Sequence, residues 1–300
     1  MTDQIHGRVI AAHGRHYSVE LPDGKLIKCY PRGKRNEAAV GDYVNLTMQG
    51  SDEAALESIQ ERKNLLYRSD ESRSKQFAAN VDQLLIVVAV KPTFSDDLLG
   101  RALAGAWSAD ITPIILLNKV DLVDDMPAAL EKLRPFTQLG VQIVQVCAHQ
   151  EASVNENILP LLTGKTSILI GQSAMGKSTL LNSLVPDALA ATQAHSVALD
   201  AGKHTTTSTR LYHLPHAGGD LIDSPGFQAF GLLHLDREEI ERGFPEFAAH
   251  RESCRFYNCT HQHEPGCGVL AALANGEIHA TRHALYVRLL EAKSASDHRY

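Results

Sequence analysis

No run of apolar residues in this sequence approaches the ~18 that a membrane-spanning helix needs. The longest candidate, Leu84 to Val90, is the length of a strand. The chain does not open with a basic segment followed by an apolar core, so no secretory leader is expected and a cytoplasmic location is. A disulfide framework is also missing. The five cysteines are an odd number: Cys254, Cys259 and Cys267 cluster, while Cys29 and Cys147 stand alone. In a reducing compartment such a cluster reads as a metal site. There are no internal repeats, and there is no excess of positive charge. The formal net charge of −6 argues against binding nucleic acid through overall charge, but it leaves room for a local basic face.

What is present is the composition of a globular protein, with 44% hydrophobic and 21% charged residues. Three hundred residues suggest two or three domains. From about 5 to 68 the chain carries short alternating runs, Gly7–Ile10, Tyr17–Leu21, Leu26–Tyr30 and Tyr43–Leu46, with a turn at Pro22-Asp23-Gly24. That spacing predicts a small β barrel, and an OB-type barrel fits the length. Between Lys25 and Arg35 lie five basic residues and no acidic one. They make either a solvated hairpin or a strand and loop that contact phosphates.

From about 80 to 232 the pattern changes. Val81–Val90, Thr112–Leu117, Gln142–Cys147, Ser167–Ile170 and Asp220–Ile222 read as strands, with helical stretches such as Pro127–Leu139 and Lys177–Val185 between them. Alternation of this kind predicts an α/β domain, a parallel sheet with helices on both faces and its ligand site at the carboxyl ends of the strands. From about 233 onward no strand pattern persists. Glu238–Phe247 and Ile278–Lys293 read as helices on either side of the Cys/His cluster.

Three motifs carry the chemistry. Gly171-Gln172-Ser173-Ala174-Met175-Gly176-Lys177-Ser178 matches G-x-x-x-x-G-K-[ST], between an apolar strand and an amphipathic helix that continues through Thr179. Its backbone N–H groups and helix N-terminus suit phosphates, its Lys177 the β- and γ-phosphates, and its Ser178 a magnesium ion. Chance alone gives such a match on the order of once per hundred chains of this length, before strand and helix context is counted. Met175 reads as filler. Asn118-Lys119-Val120-Asp121 follows the strand that ends at Leu117. The Asp121 carboxylate can accept from guanine N1–H and the 2-amino group, which adenine lacks at those positions. Asp223-Ser-Pro-Gly226 follows a third strand. Asp223 is placed to hold magnesium through water, and Gly226 to give a backbone N–H to a γ-phosphate. Together the motifs imply binding and hydrolysis of GTP. Cys147-Ala148-His149 occupies the place of a further guanine loop, in which the main contact is a backbone N–H at Ala148.

The usual order of these motifs is phosphate loop, magnesium motif, base reader. Here the base reader comes first, which a parallel sheet tolerates because all three loops leave the same edge. The permuted order, the segment Gly202-Lys203-His204-Thr205-Thr206-Thr207 and the pattern Cys254-x4-Cys259-x-His261-x5-Cys267 together resemble the bacterial ribosome-small-subunit-dependent GTPase A family.

The resemblance spans nearly the whole chain. It implies an OB-fold RNA-binding domain at 1–68, a circularly permuted P-loop GTPase domain at 69–232 and a mainly helical zinc-binding domain at 233–300. It also implies a monomer that binds GTP and GDP, and the small ribosomal subunit with its rRNA, without a membrane. The subunit would stimulate hydrolysis, and the protein would assist late maturation of the subunit. Gly202–Thr207 would be switch one, with Thr205 or Thr206 reaching magnesium. Phe227 stands where other GTPases carry a water-orienting glutamine, so His204 becomes the candidate catalytic group. Three thiolates and the His261 imidazole can complete a closed structural zinc site, with His263 a rival ligand and a redox switch the lesser reading. Two other functions fit the motifs: a GTPase switch on a protein or metal-transport pathway, with the zinc domain as a protein docking module, and a nucleotide-regulated RNA-binding protein whose turnover is incidental.

Overall fold

A computed structural model describes residues 5–32, 37–69, 74–186, 209–224 and 232–297. The first five strands are β1 (Ile5–His13), β2 (His16–Glu20), β3 (Leu26–Pro31), β4 (Tyr43–Met48) and β5 (Glu53–Ile59). They pair in the order β1-β2-β3-β5-β4 and close by a β1–β4 ladder. β3 and β5 run parallel and the other pairs antiparallel, so this is the expected OB-type barrel. Alternate residues point inward, and Val9, Val19, Ile27, Val44, Leu46 and Leu56 form a closed core. The β2–β3 turn ends at Gly24, whose φ of +83° is a conformation that costs other residues a steric penalty. The sequence did not disclose β5. Its residues Glu-Ala-Ala-Leu-Glu-Ser-Ile favour helix, and pairing on both sides overrides that preference.

A hairpin of β6 (Leu65–Ser69) and β7 (Ser74–Ala79), also unread in the sequence, leads into the second unit. There β8 (Gln83–Ala89), β9 (Thr112–Asn118), β10 (Gln142–Val146), β11 (Thr166–Gly171), β12 (Arg210–Leu214) and β13 (Gly219–Asp223) form the order β10-β9-β8-β11-β13-β12. All neighbours are parallel except the β12–β13 hairpin. Every residue of β8 and of β11 is buried, as expected of strands covered on both faces.

The helices α1 (Asp96–Ser108), α2 (Met126–Thr137), α3 (Glu151–Asn157), α4 (Leu159–Leu162) and α5 (Lys177–Leu184) connect the strands. Ser95 caps α1 by accepting from Leu98 N, and Asp96 and Asp97 in the first turn suit the positive helix end. The two sheets meet where Ala11 of β1 pairs with Arg210 of β12. Arg8 of β1 reinforces the junction through an ion pair to Asp220 and a 3.0 Å hydrogen bond to Thr166 Oγ1.

The C-terminal unit is helical: α6 (Arg237–Arg242), α7 (Ala248–Arg251), α8 (Gly268–Ala274) and α9 (Ala280–Asp297). The sequence suggested one helix over Glu238–Phe247. The structure instead ends α6 at Arg242 and resumes with a 3₁₀ turn at Pro245–Phe247, because Phe244 precedes a proline and cannot stay helical. Asp236 and Glu239 form a capping box at the start of α6. Arg282 of α9 is 1% exposed and binds this unit to α1. It pairs with Glu246 at 2.7 Å, donates to Gly243 O and Gly100 O, and lies over Phe244 at 4.3 Å. Among the described residues no helix is long and apolar enough to cross a membrane.

Candidate nucleotide site and metal centre

The parallel register brings the motifs together. Asn118 ends β9 and pairs with Ala89 of β8 and Val146 of β10; Gly171 ends β11 beside Val87; Asp223 ends β13 beside Leu169. Four loops therefore leave one edge of the sheet, whatever their order along the chain.

The phosphate loop runs from Gly171 to α5, whose N-cap is Gly176 with φ +92°. A Cβ at Gly176 would collide with the Asn118 carboxamide. That carboxamide is 2% exposed and fully used: Nδ2 donates to Met175 O at 2.9 Å, and Oδ1 accepts from Ala148 N at 3.0 Å. Lys119, itself at φ +63°, lays its chain along the same loop and donates to Ala174 O at 2.7 Å. Gln172 accepts from Ser95 N at 2.7 Å, which ties the loop to the start of α1. Met175 is 2% exposed and packs in the core. Ser173, Ala174 and Ser178 are exposed on the loop and the first turn of α5, while Thr179 is half-buried. Lys177 forms an ion pair with Asp223, both partly buried, so the cation of one motif meets the carboxylate of another. Val120 is half-buried and Asp121 exposed. The Cys147 thiol, buried after β10, donates to Asp121 Oδ1 at 3.3 Å. Burial and this carboxylate hold the thiol proton on, with a pKa above its ordinary value.

The straps from Asn118, Lys119 and Gln172 and the thiol contact of Cys147 were not read from the sequence. Motif spacing alone names residues but not their mutual hydrogen bonds. His204, Thr205, Thr206 and Gly226 lie outside the described residues.

The second cluster is Cys254, Cys259, His261 and Cys267, whose ligand atoms all lie within 4.8 Å of one another. Cys254 Sγ is 3.8 Å from Cys267 Sγ and 3.6 Å from His261 Nδ1, and Cys267 Sγ is 3.4 Å from that nitrogen. A tetrahedral zinc with ordinary bond lengths sets sulfur pairs about 3.8 Å apart and sulfur–nitrogen pairs about 3.6 Å apart. The donor set and its spacing fit, and the cluster could hold a zinc ion. Gly268 N and Leu270 N donate to the sulfurs of Cys254 and Cys267 at 3.3 and 3.4 Å. Burial opposes the Cys267 thiolate, but the Leu270 N–H and the neighbouring His261 and cysteines prevail and lower its pKa. His261 Nε2 faces Glu241 Oε2 at 3.6 Å, so a carboxylate stands behind the imidazole. The rival His263 is exposed and outside the cluster. Glu264 organises the intervening turn, accepting from Thr260, Gln262 N and His263 N. Burial opposes its charge, but the Thr260 hydrogen bonds and the backbone N–H groups prevail and hold the carboxyl below its usual range.

A phosphate loop, an Asn-Lys-x-Asp loop and an Asp-x-x-Gly loop on one parallel edge define a P-loop GTPase, and their chain order makes it a circularly permuted one. A family profile described as RsgA GTPase matches residues 59–233. The small ribosomal subunit biogenesis GTPase RsgA of Bordetella pertussis (strain Tohama I) is 65% identical over 295 residues, covering 98% of each chain. A crystal structure of YjeQ from Thermotoga maritima superposes with a TM-score of 0.74 at 30% identity, over 97% of this chain and 98% of that one. YloQ, described as a circularly permuted GTPase, gives 0.70 at 29% identity, over 98% and 96%. The chain belongs to the RsgA GTPase family. It is therefore a GTP hydrolase with an N-terminal barrel and a helical C-terminal region.

Proposed function

We propose that this protein is an assembly GTPase of the small ribosomal subunit, working in the cytoplasm as a monomer. The observation that carries the reading is full-length similarity to a relative named for small ribosomal subunit biogenesis, joined to four motif loops on one sheet edge. In this reading the barrel (1–68) contacts rRNA, residues 69–232 bind and hydrolyse GTP, and residues 233–300 fold around a structural zinc. Gly171–Thr179 wraps the phosphates, with Lys177 leaving Asp223 for the β- and γ-phosphates. Ser178, with Thr205 or Thr206, would hold magnesium, and Asp223 would hold it through water. That ion supplies charge stabilisation on the phosphates. Gly226 gives its N–H to the γ-phosphate. Asn118, Lys119, Val120, Asp121 and Ala148 surround the guanine, with Asp121 accepting from N1–H and the 2-amino group. His204 orients the attacking water when the subunit is bound.

The test is GTP turnover at saturating nucleotide, with and without purified small subunits, alongside co-sedimentation with a nonhydrolysable GTP analogue. Acceleration by subunits and nucleotide-dependent binding are expected. Subunits that neither bind the protein nor change its rate would overturn the reading. His204→Ala should keep GTP affinity and lose most of the stimulated rate; a stimulated rate within about twofold of wild type, under ~0.5 kcal/mol of barrier, would remove His204 from the mechanism.

A further inference from the structure

β13 is a short strand with little in its own sequence to fix its register. It runs parallel to β11, with Thr166 opposite Asp220, Ile168 opposite Ile222 and Leu169 opposite Asp223. Leu221 and Ile222 point to opposite faces of the sheet, and both are fully buried. A slip of one residue along β11 would exchange one aliphatic side chain for another, so the apolar pattern does not penalise it. The slip would matter at the end of the strand, where Asp223 pairs with Lys177. It would move Asp223 by about 3.3 Å and turn the carboxylate to the other face. The hairpin pairing of β12 with β13 sets those two strands against each other, but not against β11.

What fixes the pairing comes from the barrel. Arg8 lies on β1 opposite Tyr43 of β4, next to Val9, which fills the barrel core, so the Arg8 side chain points outward. Its guanidinium lies 5.2 Å from the Tyr43 ring centre. One branch of the fork pairs with Asp220 Oδ2, and the other donates to Thr166 Oγ1 at 3.0 Å. These are the two residues that face each other at the foot of the β11–β13 ladder. A rigid planar fork reaches both only when they stand at one level on one face. A slip would bring Gly219 or Leu221 opposite Thr166, and the fork would lose its carboxylate.

Thr166 is a fixed reference. Its N–H donates to Asp82 Oδ2 at 2.8 Å, and its carbonyl accepts from Asp82 N at 2.8 Å, which sets β11 against the start of β8. The Arg8 and Asp220 side chains are 13% and 18% exposed. An ion pair at that depth adds little net stability over an apolar pair of the same shape, and setting register is the best-attested use of such a pair. Arg8 Nε is buried without a partner among the described residues, as suits a side chain placed for the reach of its two terminal nitrogens.

We infer that Arg8 is a positioning residue for the nucleotide site: a barrel side chain that sets the register of β13 and so sets Asp223 against the phosphate loop. The barrel thereby shapes the nucleotide site without touching the nucleotide. The inference rests on the reading of Asp223 as the residue that holds magnesium through water, and it deepens that reading by naming what places the carboxylate.

The experiment uses the full chain as wild type, Arg8→Met, Arg8→Lys, Glu20→Gln and Asp223→Asn, each shown to be folded by far-ultraviolet circular dichroism. Release of a fluorescent GDP is timed in EDTA and across a Mg²⁺ titration. Asp223→Asn should raise the Mg²⁺ concentration that half-slows release. Arg8→Met should raise it by about fivefold or more, while its release in EDTA stays within about twofold of wild type, because the phosphate loop and base contacts are intact. Arg8→Lys keeps a charge beside Asp220 but has one ammonium in place of a fork, so its shift should fall between wild type and Arg8→Met. It carries the test if Arg8→Met does not fold. Glu20→Gln removes the other tie between barrel and hairpin, the one through His213, and should leave the Mg²⁺ dependence unchanged. A shift matched by Glu20→Gln, or release by Arg8→Met that is equally faster in EDTA and in Mg²⁺, would overturn the inference by showing a loosened junction in place of a set register. If Asp223→Asn shifts the Mg²⁺ dependence and the Arg8 variants do not, the inference alone fails. If Asp223→Asn leaves it unchanged, the reading of Asp223 fails and the inference with it.

Discussion

The Asn118 carboxamide lies between two loops that the chain separates, with Nδ2 2.9 Å from Met175 O and Oδ1 3.0 Å from Ala148 N. The residue that opens the base-reading motif therefore fastens the phosphate loop to the loop after β10. Asn118→Ala would leave a buried carbonyl and a buried N–H without partners, at about 1–3 kcal/mol for each, in loops that must both be in place. GDP and GTP affinity should fall together by about tenfold or more in a titration with a fluorescent guanine nucleotide. Unchanged affinity would mean that the loops hold their positions without the strap.

Asp121→Asn should reverse base preference. The carboxylate accepts two donors from guanine, whereas an amide presents one donor and one acceptor and so matches xanthine. Leaving a buried polar pair unmatched costs several kcal/mol, on the order of 10²-fold or more in discrimination. Competition between GTP and xanthosine triphosphate reads this directly, and a mutant that still favours GTP as strongly as wild type would remove Asp121 from the base contact. The Cys147 thiol donates to the same carboxylate, so Cys147→Ala gives a milder control.

How far the sequence disclosed these features depends on the range of the interaction. Strands with continuous apolar runs, β8, β9 and β11, were legible because burial on both faces writes itself into every residue. β5 was not, since Glu53–Ile59 has a helix former's composition and is a strand only because β3 and β4 flank it. The four-residue Cys/His cluster was legible because its members lie within one short segment, and the geometry groups His261, not His263, with the three cysteines. Glu241 behind His261 and Glu246 beneath Arg282 were illegible, being partners brought together from 20 and 36 residues away by packing.

His213 gives the junction between barrel and GTPase sheet a pH dependence. Its ring nitrogens each stand 2.7 Å from a carboxylate, Glu20 on the barrel and Asp220 on β13, and Arg8 pairs with the other oxygen of Asp220. Burial alone would lower the imidazole pKa, but the hydrogen bonds to Asp220 and Glu20 outweigh it and raise the pKa above its ordinary value. A raised folded-state pKa stabilises fully below the unfolded value of about 6.5, and the effect is lost as pH rises through the folded value. The side chain is 54% exposed, so screening limits the contribution to at most about 1 kcal/mol. Urea midpoints should decline from about pH 6 toward about pH 8, and His213→Gln should flatten that decline. An identical slope in the variant would place the titration elsewhere.

Arg282 should matter more for stability than any surface pair. Arg282→Met leaves the Glu246 carboxylate, 9% exposed, without its partner, and such losses cost about 3–5 kcal/mol. Adding Glu246→Leu removes the orphaned charge and should recover most of that. Equilibrium unfolding of the two variants separates charge from packing. If the double variant is no more stable than the single one, the loss comes from the contacts of Arg282 with Phe244 and Trp107 instead.

Metal removal should unfold one part of the protein and spare the rest. The cluster is joined to α9 by only two described hydrogen bonds from side chains of that helix, His283 Nε2 to His261 O at 2.7 Å and Tyr286 Oη to Thr260 O at 3.2 Å. Without a central ion, three sulfurs and an imidazole at these separations are left with one another, two backbone N–H donors and the Glu241 carboxylate, and the turn at 254–267 has little apolar surface of its own to bury. The GTPase sheet is different, since β8, β9 and β11 lie in a continuous apolar core that needs no ion. Protein purified without chelator should contain one zinc per chain, and Cys259→Ser with His261→Ala should contain almost none. Hydrogen exchange should then show protection lost across 254–267, α8 and the first turns of α9, while β8, β9 and β11 keep theirs and unstimulated GTP turnover changes little. Uniform loss of protection through the sheet would show that the metal supports the whole chain. Zinc retained by the double variant would show that the ligands are not these four residues.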